Sequence, residues 1–181
     1  MAVPIRFEPS SLGADGATIT INSNDPDTPN KAVNVSGDMP PGVNHARIGE
    51  AILLGRETTR RRAWPGTHQD AIVLHAEVLE CRRKRSSAGA RGQDAFGGPG
   101  ATLPAGDRIR ALANLGREDV DEKALRPREA GVQIVGASSG YLVLDVTDAE
   151  PVRVGAELTF DPGYSALLRA MTSEYVEKRC Q

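Results

Sequence analysis

The chain has 181 residues, with 22 basic and 24 acidic side chains and a formal net charge of −2. This balance argues against a dedicated nucleic-acid binder, which usually carries a basic excess. No apolar run reaches the roughly 18 residues that would span a membrane, and the start of the chain lacks the layout of a signal peptide. We therefore expect a cytoplasmic protein with no membrane or nucleic-acid partner.

The residue inventory also bears on metal binding and redox state. Cys81 and Cys180 are far apart and show no metal-type spacing. We interpret them as free thiols in a reducing compartment, with a long-range disulfide as the alternative. No metal site is predicted. Hydrophobic residues make up 39% of the chain and aromatic residues 4%, so the core is expected to be aliphatic.

Residues 1–38 read as a short β segment. Alternating apolar and polar residues predict three exposed strands, at Val3–Phe7, Ala17–Ile21 and Lys31–Gly37. The stretch Asn22–Asn30 is crowded with Asn, Asp and Pro, so it is predicted to be a solvated turn, with a calcium site as the less favoured alternative. The phrases ATITINSNDPDTP and VNVSG resemble the last strands of bacterial immunoglobulin-like repeats of the ASH/HYDIN type. Such a sandwich needs about seven strands, so this segment would be partial.

Residues 39–65 are predicted to be a linker followed by one strand. Two prolines and a glycine at positions 40–42 mark a boundary. The apolar run Ile48–Leu54, bounded by Arg47 and Gly55, predicts a buried strand. A fixed cation and a bare glycine backbone at its start suit an anionic ligand.

Residues 66–181 are predicted to form a mainly β domain closed by a helix. Predicted strands lie at 69–80, 109–115, 132–135, 141–146 and 157–160, with a loop rich in Gly, Ala and Pro at 86–106. The basic run 81–85 is interpreted as a hairpin tip, because no aromatic residues interleave it as they would in a nucleic-acid site. A terminal helix is predicted from apolar residues that recur at helical spacing, namely Tyr164, Leu168, Met171 and Tyr175.

Several phrases in residues 43–181 carry a family resemblance. They are RIGEAILLGRET, PGTHQDAIVLHAEV, GQDAFG, LGREDVD, GASSGYLVLDVTDAE and YSALLRAMTSEYVEK. This part of the chain resembles the C-terminal half of an alanine racemase-type amino acid racemase, nearest to the ornithine racemase-like branch. Such enzymes have a TIM-like barrel followed by a β domain, usually in a dimer. The resemblance implies that Ile48–Leu54 is the last barrel strand and that a C-terminal β domain follows.

The resemblance also implies a cofactor, pyridoxal 5′-phosphate, and residues that would contact it. Arg47 matches the Arg that faces the pyridine nitrogen, where a permanently charged guanidinium keeps that nitrogen unprotonated. The backbone amides of Gly49 and Glu50 are candidates for phosphate contact, and Tyr164 matches a Tyr that hydrogen-bonds the phosphate. Racemisation needs two proton-transfer groups. Alanine racemases supply one of them as a Tyr, but the corresponding region, Gly92–Gly97, contains no Tyr. Asp94 or a neighbouring group is the candidate replacement, with a loop-capping Asp as the alternative interpretation.

Schiff-base chemistry needs a lysine amine in a suitable setting. The chain has four lysines, Lys31, Lys84, Lys123 and Lys178, all in polar surroundings and none at the end of a predicted barrel strand. We therefore expect the isolated chain to be inactive on an amino acid substrate. Two alternatives stay open: a β domain that complements a separately encoded barrel, and a non-catalytic β-rich binding module.

Overall fold

The structure is a computed structural model that describes residues 49–57, 59–86 and 105–179, together with the backbone of residues 16–22 and 30–36. The chain divides into two compact units, Met1–Ala71 and Ile72–Gln181. Each unit is described by itself. Arg47, Asp94 and Cys180, together with the predicted strand Val3–Phe7, lie outside the described residues.

The first unit contains a two-stranded sheet and a short helix. Strand β1 (Gly16–Asn22) pairs antiparallel with strand β2 (Asn30–Ser36), with Ile19 opposite Val33. Both predicted strands are therefore confirmed.

The predicted barrel strand at Ile48–Leu54 is wrong, because the described part of this run forms helix α1 (Glu50–Leu54). Periodicity cannot separate a short buried strand from a helical turn, and Glu, Ala and Leu are good helix formers. Glu50 and Leu54 are the buried residues, four positions apart on one helical face. Gly55 ends the helix in the left-handed conformation at φ +61° and donates its N–H to the carbonyl of Ala51 at 3.1 Å.

The second unit is a six-stranded antiparallel sheet with one helix packed on it. Along the sheet the strands run β5-β8-β3-β4-β7-β6. The elements are β3 (Leu74–Ser86), β4 (Gly106–Ala113), β5 (Leu125–Pro127), β6 (Gln133–Ala137), β7 (Leu142–Asp145), β8 (Glu157–Pro162) and helix α2 (Tyr164–Thr172). The prediction of a mainly β part closed by a C-terminal helix is confirmed.

Strand β3 is longer than predicted at its C-terminal end. The basic run 81–85 does not form a hairpin tip, because it continues β3 and pairs with β4 as far as Ser86 opposite Gly106. Ion pairs on this stretch lower the cost of aligning so many cations. Arg83 lies 3.7 Å from Asp107, and Lys84 lies 3.2 Å from Glu80.

The core lies against one face of the sheet. Leu74, Ala76 and Val78 of β3 are buried, and the residues between them are exposed, as expected for a strand with one face in the core. The largest side chain buried with them is Phe160, directly opposite Leu74 in the β3–β8 pairing. Aliphatic side chains supply most of the remaining core, as the composition predicts.

Helix α2 is present, but its predicted apolar face points to solvent. Three small or aliphatic residues, Ala166, Leu167 and Ala170, are the ones it buries. The four residues whose spacing predicted the helix are all exposed, at 41% for Tyr164, 53% for Leu168, 59% for Met171 and 75% for Tyr175. We call these four residues the α2 stripe. Tyr175 lies beyond the end of the helix.

One carboxylate is buried within the sheet. Asp145, at the end of β7, is 1% exposed. Its Oδ2 accepts a hydrogen bond from Arg108 Nε at 2.8 Å, and its Oδ1 accepts one from the Thr147 backbone N–H at 3.0 Å. Burial by itself would raise the pKa of Asp145, but the hydrogen bonds from Arg108 and Thr147 outweigh it and hold the pKa below its ordinary value.

Asp145→Asn is expected to lower the free energy of unfolding at pH 7 by about 1.5–3 kcal/mol, the contribution of a hydrogen bond to a charged group. Because the folded-state pKa is lowered, the contribution is present above the unfolded-state pKa and is lost as pH falls through the folded-state pKa. Urea unfolding at pH 7 and at several values below pH 5 should therefore show that the difference in free energy of unfolding between the variant and the unmodified chain becomes smaller as the pH falls. Asp148→Asn is the matched control, because Asp148 lies 3.4 Å from the same Arg108 but is 64% exposed. An equal loss in both variants would contradict the assignment.

Candidate functional site

Two of the predicted site residues, Gly49 and Glu50, open helix α1 in the first unit. A Cβ built on Gly49 would meet no atom within 4 Å, so its backbone is open to close approach. The carboxylate of Glu50 is buried and forms an ion pair with Arg61, whose own backbone is left-handed at φ 56°. Glu50 thus has only its backbone amide to offer to a ligand.

The end of α1 is fixed by side chains from the segment that follows. Thr67 Oγ1 and Gln69 Nε2 donate to the carbonyl of Gly55 at 2.9 Å and 3.0 Å. A Cβ at Gly55 would lie 2.2 Å from the carbonyl oxygen of His68. The position therefore requires glycine, both for its left-handed backbone and for this close approach.

Tyr164 is the first residue of α2, in the second unit. Its ring is 41% exposed, and its hydroxyl has no hydrogen-bond partner among the described residues. The preceding Gly163 donates its N–H to the carbonyl of Ala124 at 2.6 Å. The following Ser165 donates to Asp121 Oδ2 at 2.7 Å. Tyr164 is therefore a phenol held at the surface between two fixed neighbours, able to donate to an anion.

A polar loop at residues 116–124 lies beside Tyr164 and was not predicted as a site. Gly116 is in contact with the backbone of the β6–β7 turn, where an added Cβ would lie 2.0 Å from Ser139 O. The next two amides, of Arg117 and Glu118, donate to Ser138 O at 3.0 Å and Ser139 O at 2.9 Å. Backbone hydrogen bonds thus join the loop to the turn.

Side chains also tie this loop to the α2 region. Asp119, which is 7% exposed, accepts from Ser173 Oγ at 2.7 Å and from the Gly116 amide at 3.3 Å. Arg117 Nη2 donates to Glu122 Oε1 at 2.6 Å, and Arg169 Nη1 donates to the Arg117 carbonyl at 3.2 Å. These hydrogen bonds join the loop 116–124 to helix α2 and to Ser173, which follows it, so the loop supports the helix that carries Tyr164.

The sequence-predicted site residues are thus distributed over different parts of the chain. Gly49 and Glu50 belong to the first unit and Tyr164 to the second, while Arg47 and Asp94 lie outside the described residues. The loop 116–124 could have been found from LGREDVD, where a glycine precedes a dense run of charges between two apolar positions.

The described lysines do not fit a covalent pyridoxal 5′-phosphate site, which requires a desolvated amine of lowered pKa. Lys84 is 47% exposed and lies 3.2 Å from Glu80. Lys123 is exposed, and Lys178 donates to the carbonyl of Ser173 on an exposed surface. Lys31 lies in β2, of which only the backbone is described. The amide of Gly49 and the hydroxyl of Tyr164 are each able to donate to an anion, but none of the described lysine side chains suits the Schiff base.

Comparison with known proteins relates the C-terminal part of the chain to two racemases. Over 144 residues it is 44% identical to the lysine racemase of Thermotoga maritima and 40% identical to the ornithine racemase of Acetoanaerobium sticklandii. These alignments cover 79% and 78% of the chain, but only 41% of each relative. The chain therefore spans about two fifths of the length of the curated relatives that it matches.

No protein-family model matches the chain, and no solved structure matches it significantly. The two racemases support the predicted resemblance for the C-terminal part, whereas the likeness of residues 5–37 to immunoglobulin-like repeats stays a prediction. Within the described residues, no helix is long and apolar enough to cross a membrane.

Gly116→Ala tests whether the contact with the β6–β7 turn holds the loop. The added methyl would overlap the backbone of Ser139, so we expect a loss of about 1–3 kcal/mol in the free energy of unfolding, typical of overpacking. Gly136→Ala is the control, because an added Cβ there meets nothing within 4 Å. Chemical denaturation of both variants is the measurement, and a Gly116→Ala chain as stable as the control would refute the contact.

Proposed function

We propose that this chain is the C-terminal part of a pyridoxal 5′-phosphate-dependent amino acid racemase that interconverts the L and D forms of a basic amino acid. The observation that carries the proposal is 44% identity over 144 residues with a lysine racemase. Lysine and ornithine are the substrates that the names of the two relatives indicate.

The chain's own contribution to such an enzyme would be binding and orientation. Tyr164 and the amides of Gly49 and Glu50 would donate to the cofactor phosphate, Arg47 would face the pyridine nitrogen, and Asp94 would act as a proton-transfer group. A guanidinium suits its place because it stays protonated at any working pH. Covalent attachment of the cofactor would need a lysine other than Lys84, Lys123 and Lys178, since these three are exposed.

We expect the purified chain alone to form no specific cofactor adduct and to racemise neither L-lysine nor L-ornithine. Exposed lysines would react with pyridoxal 5′-phosphate only weakly and at several positions, because Schiff-base formation of the enzymatic kind needs an amine desolvated in an apolar pocket. The measurement is borohydride trapping followed by peptide mass spectrometry, together with chiral chromatography of the amino acids. The T. maritima lysine racemase is the positive control. One stoichiometric adduct on a single lysine would overturn this expectation.

The α2 stripe favours a second candidate, in which the chain complements a separately encoded barrel. Four large side chains, 41% to 75% exposed, lie on α2 or, in the case of Tyr175, just beyond its end. Contiguous apolar surface of this kind typically marks an interaction site. The relatives have about three fifths of their length beyond the matched region. A barrel of that origin is the partner that the stripe would contact.

Co-expression with the part of T. maritima lysine racemase that this chain does not match tests the second candidate. We expect the two polypeptides to co-purify and to racemise lysine when pyridoxal 5′-phosphate is added. The double variant Leu168→Glu, Met171→Glu should abolish co-purification, because it places two charges in the contact. Val154→Glu is the matched control, since Val154 is 62% exposed but lies outside α2. If the unmodified chain fails to co-purify, complementation is refuted, while the proposed family origin is unaffected.

A further inference from the structure

The outer face of the β3–β4 pair carries four cations in two directly opposed pairs. Arg82 lies opposite Arg110, and Lys84 lies opposite Arg108. Like charges at directly opposed positions of an antiparallel pair destabilise the sheet. Carboxylates or bound anions must therefore compensate these four charges.

Three of the four cations have carboxylate partners. Glu80 lies 3.7 Å from Arg82 Nε and 3.2 Å from Lys84 Nζ. Arg108 is paired with Asp145 at 2.8 Å and with Asp148 at 3.4 Å.

Arg110 is the exception. It has no carboxylate within 4.0 Å among the described residues, although Asp145 stands directly opposite it in the β4–β7 register. The oxygens of that carboxylate accept instead from Arg108 Nε at 2.8 Å and from the Thr147 amide at 3.0 Å. Its register partner across the other edge of β4, Arg82, adds a further positive charge.

The hydrogen bonding of Arg110 is also incomplete. Its Nη2 donates to Ser86 Oγ at 2.8 Å, but its buried Nε has no acceptor. Nε and a terminal nitrogen of a guanidinium form a fork that matches the two oxygens of a carboxylate or phosphate. The Nε of Arg110 therefore lacks the acceptor that a carboxylate or phosphate oxygen would supply.

We propose that Arg110, Ser86 and Arg82 form a binding site for a small oxyanion, a carboxylate or a phosphate, on the outer face of the sheet. Because Nε is buried in this structure, the guanidinium would turn outward on binding, and Nε and Nη2 of Arg110 would then donate to the ligand. The hydroxyl of Ser86, which can donate as well as accept, would turn to donate to the same ligand. Arg82, 72% exposed, supplies a second positive charge from the neighbouring strand.

The test uses the full chain, titrated separately with inorganic phosphate and with acetate at constant ionic strength balanced by sodium chloride. We expect at least one of these anions to raise the thermal unfolding temperature saturably, and the more potent one identifies the ligand class. Arg110→Gln should raise the half-saturating anion concentration about tenfold, since the charge-assisted hydrogen bonds of the guanidinium are lost. Arg126→Gln is the matched control: it removes an arginine of β5 that is 68% exposed and paired with Asp161 of β8, and should leave the titration unchanged.

A second measurement keeps the proposal testable if Arg110→Gln does not fold. Backbone amide chemical shifts of the unmodified chain are followed during the same titrations, and those of Ser86 and Arg110 should move saturably. The proposal is overturned if neither anion stabilises the chain more than chloride does. It is equally overturned if Arg126→Gln loses the effect as fully as Arg110→Gln, or if the shifts of Ser86 and Arg110 stay still.

Discussion

The second unit depends on the way that β3 changes partners at Val78. Residues Leu74 to Glu77 pair with β8, and the pairing with β4 begins at Val78, with a register shift before Glu80. Val78 itself is fully buried and is bonded through its backbone to Ala156 and Gly155, each at 2.8 Å. One strand thus joins β5 and β8 to β4, β7 and β6. If β3 did not pair with both β8 and β4, the two halves of the sheet would not share a core.

The sequence predicted the strands of the second unit well, because alternation marks a sheet with one buried face. The sequence-based prediction was wrong for the secondary structure of Ile48–Leu54 and for the buried face of α2. Ile48–Leu54 is an apolar run with no alternation, so its periodicity does not distinguish a strand from a helix. The structure has a helix there, which Gly55 ends at φ +61°. The spacing in α2 correctly predicted a helix but not which face is buried, because small residues make the contact with the sheet.

The surroundings of Tyr164 and Arg110 were less predictable, because they are formed by contacts between residues that are far apart in the sequence. Tyr164 could be assigned from the resemblance, but its support comes from Asp121, 44 positions earlier in the chain. Nothing around Arg110 in the sequence separates it from Arg108. The difference appears only in the fold, where Arg108 Nε donates to Asp145 at 2.8 Å and Arg110 Nη2 donates to Ser86 instead.

The basic run of β3 has a further consequence at its other edge. From Arg82 to Arg85 the strand pairs with β4 on one side, and no described strand pairs with its opposite side. Such an edge is a template to which strands of other molecules can add. Four consecutive cations make that addition unfavourable, since an incoming copy would bring the same charges. This run, which the sequence predicted to be a hairpin tip, therefore protects the chain against edge-to-edge aggregation, and polyanions that neutralise it would remove that protection.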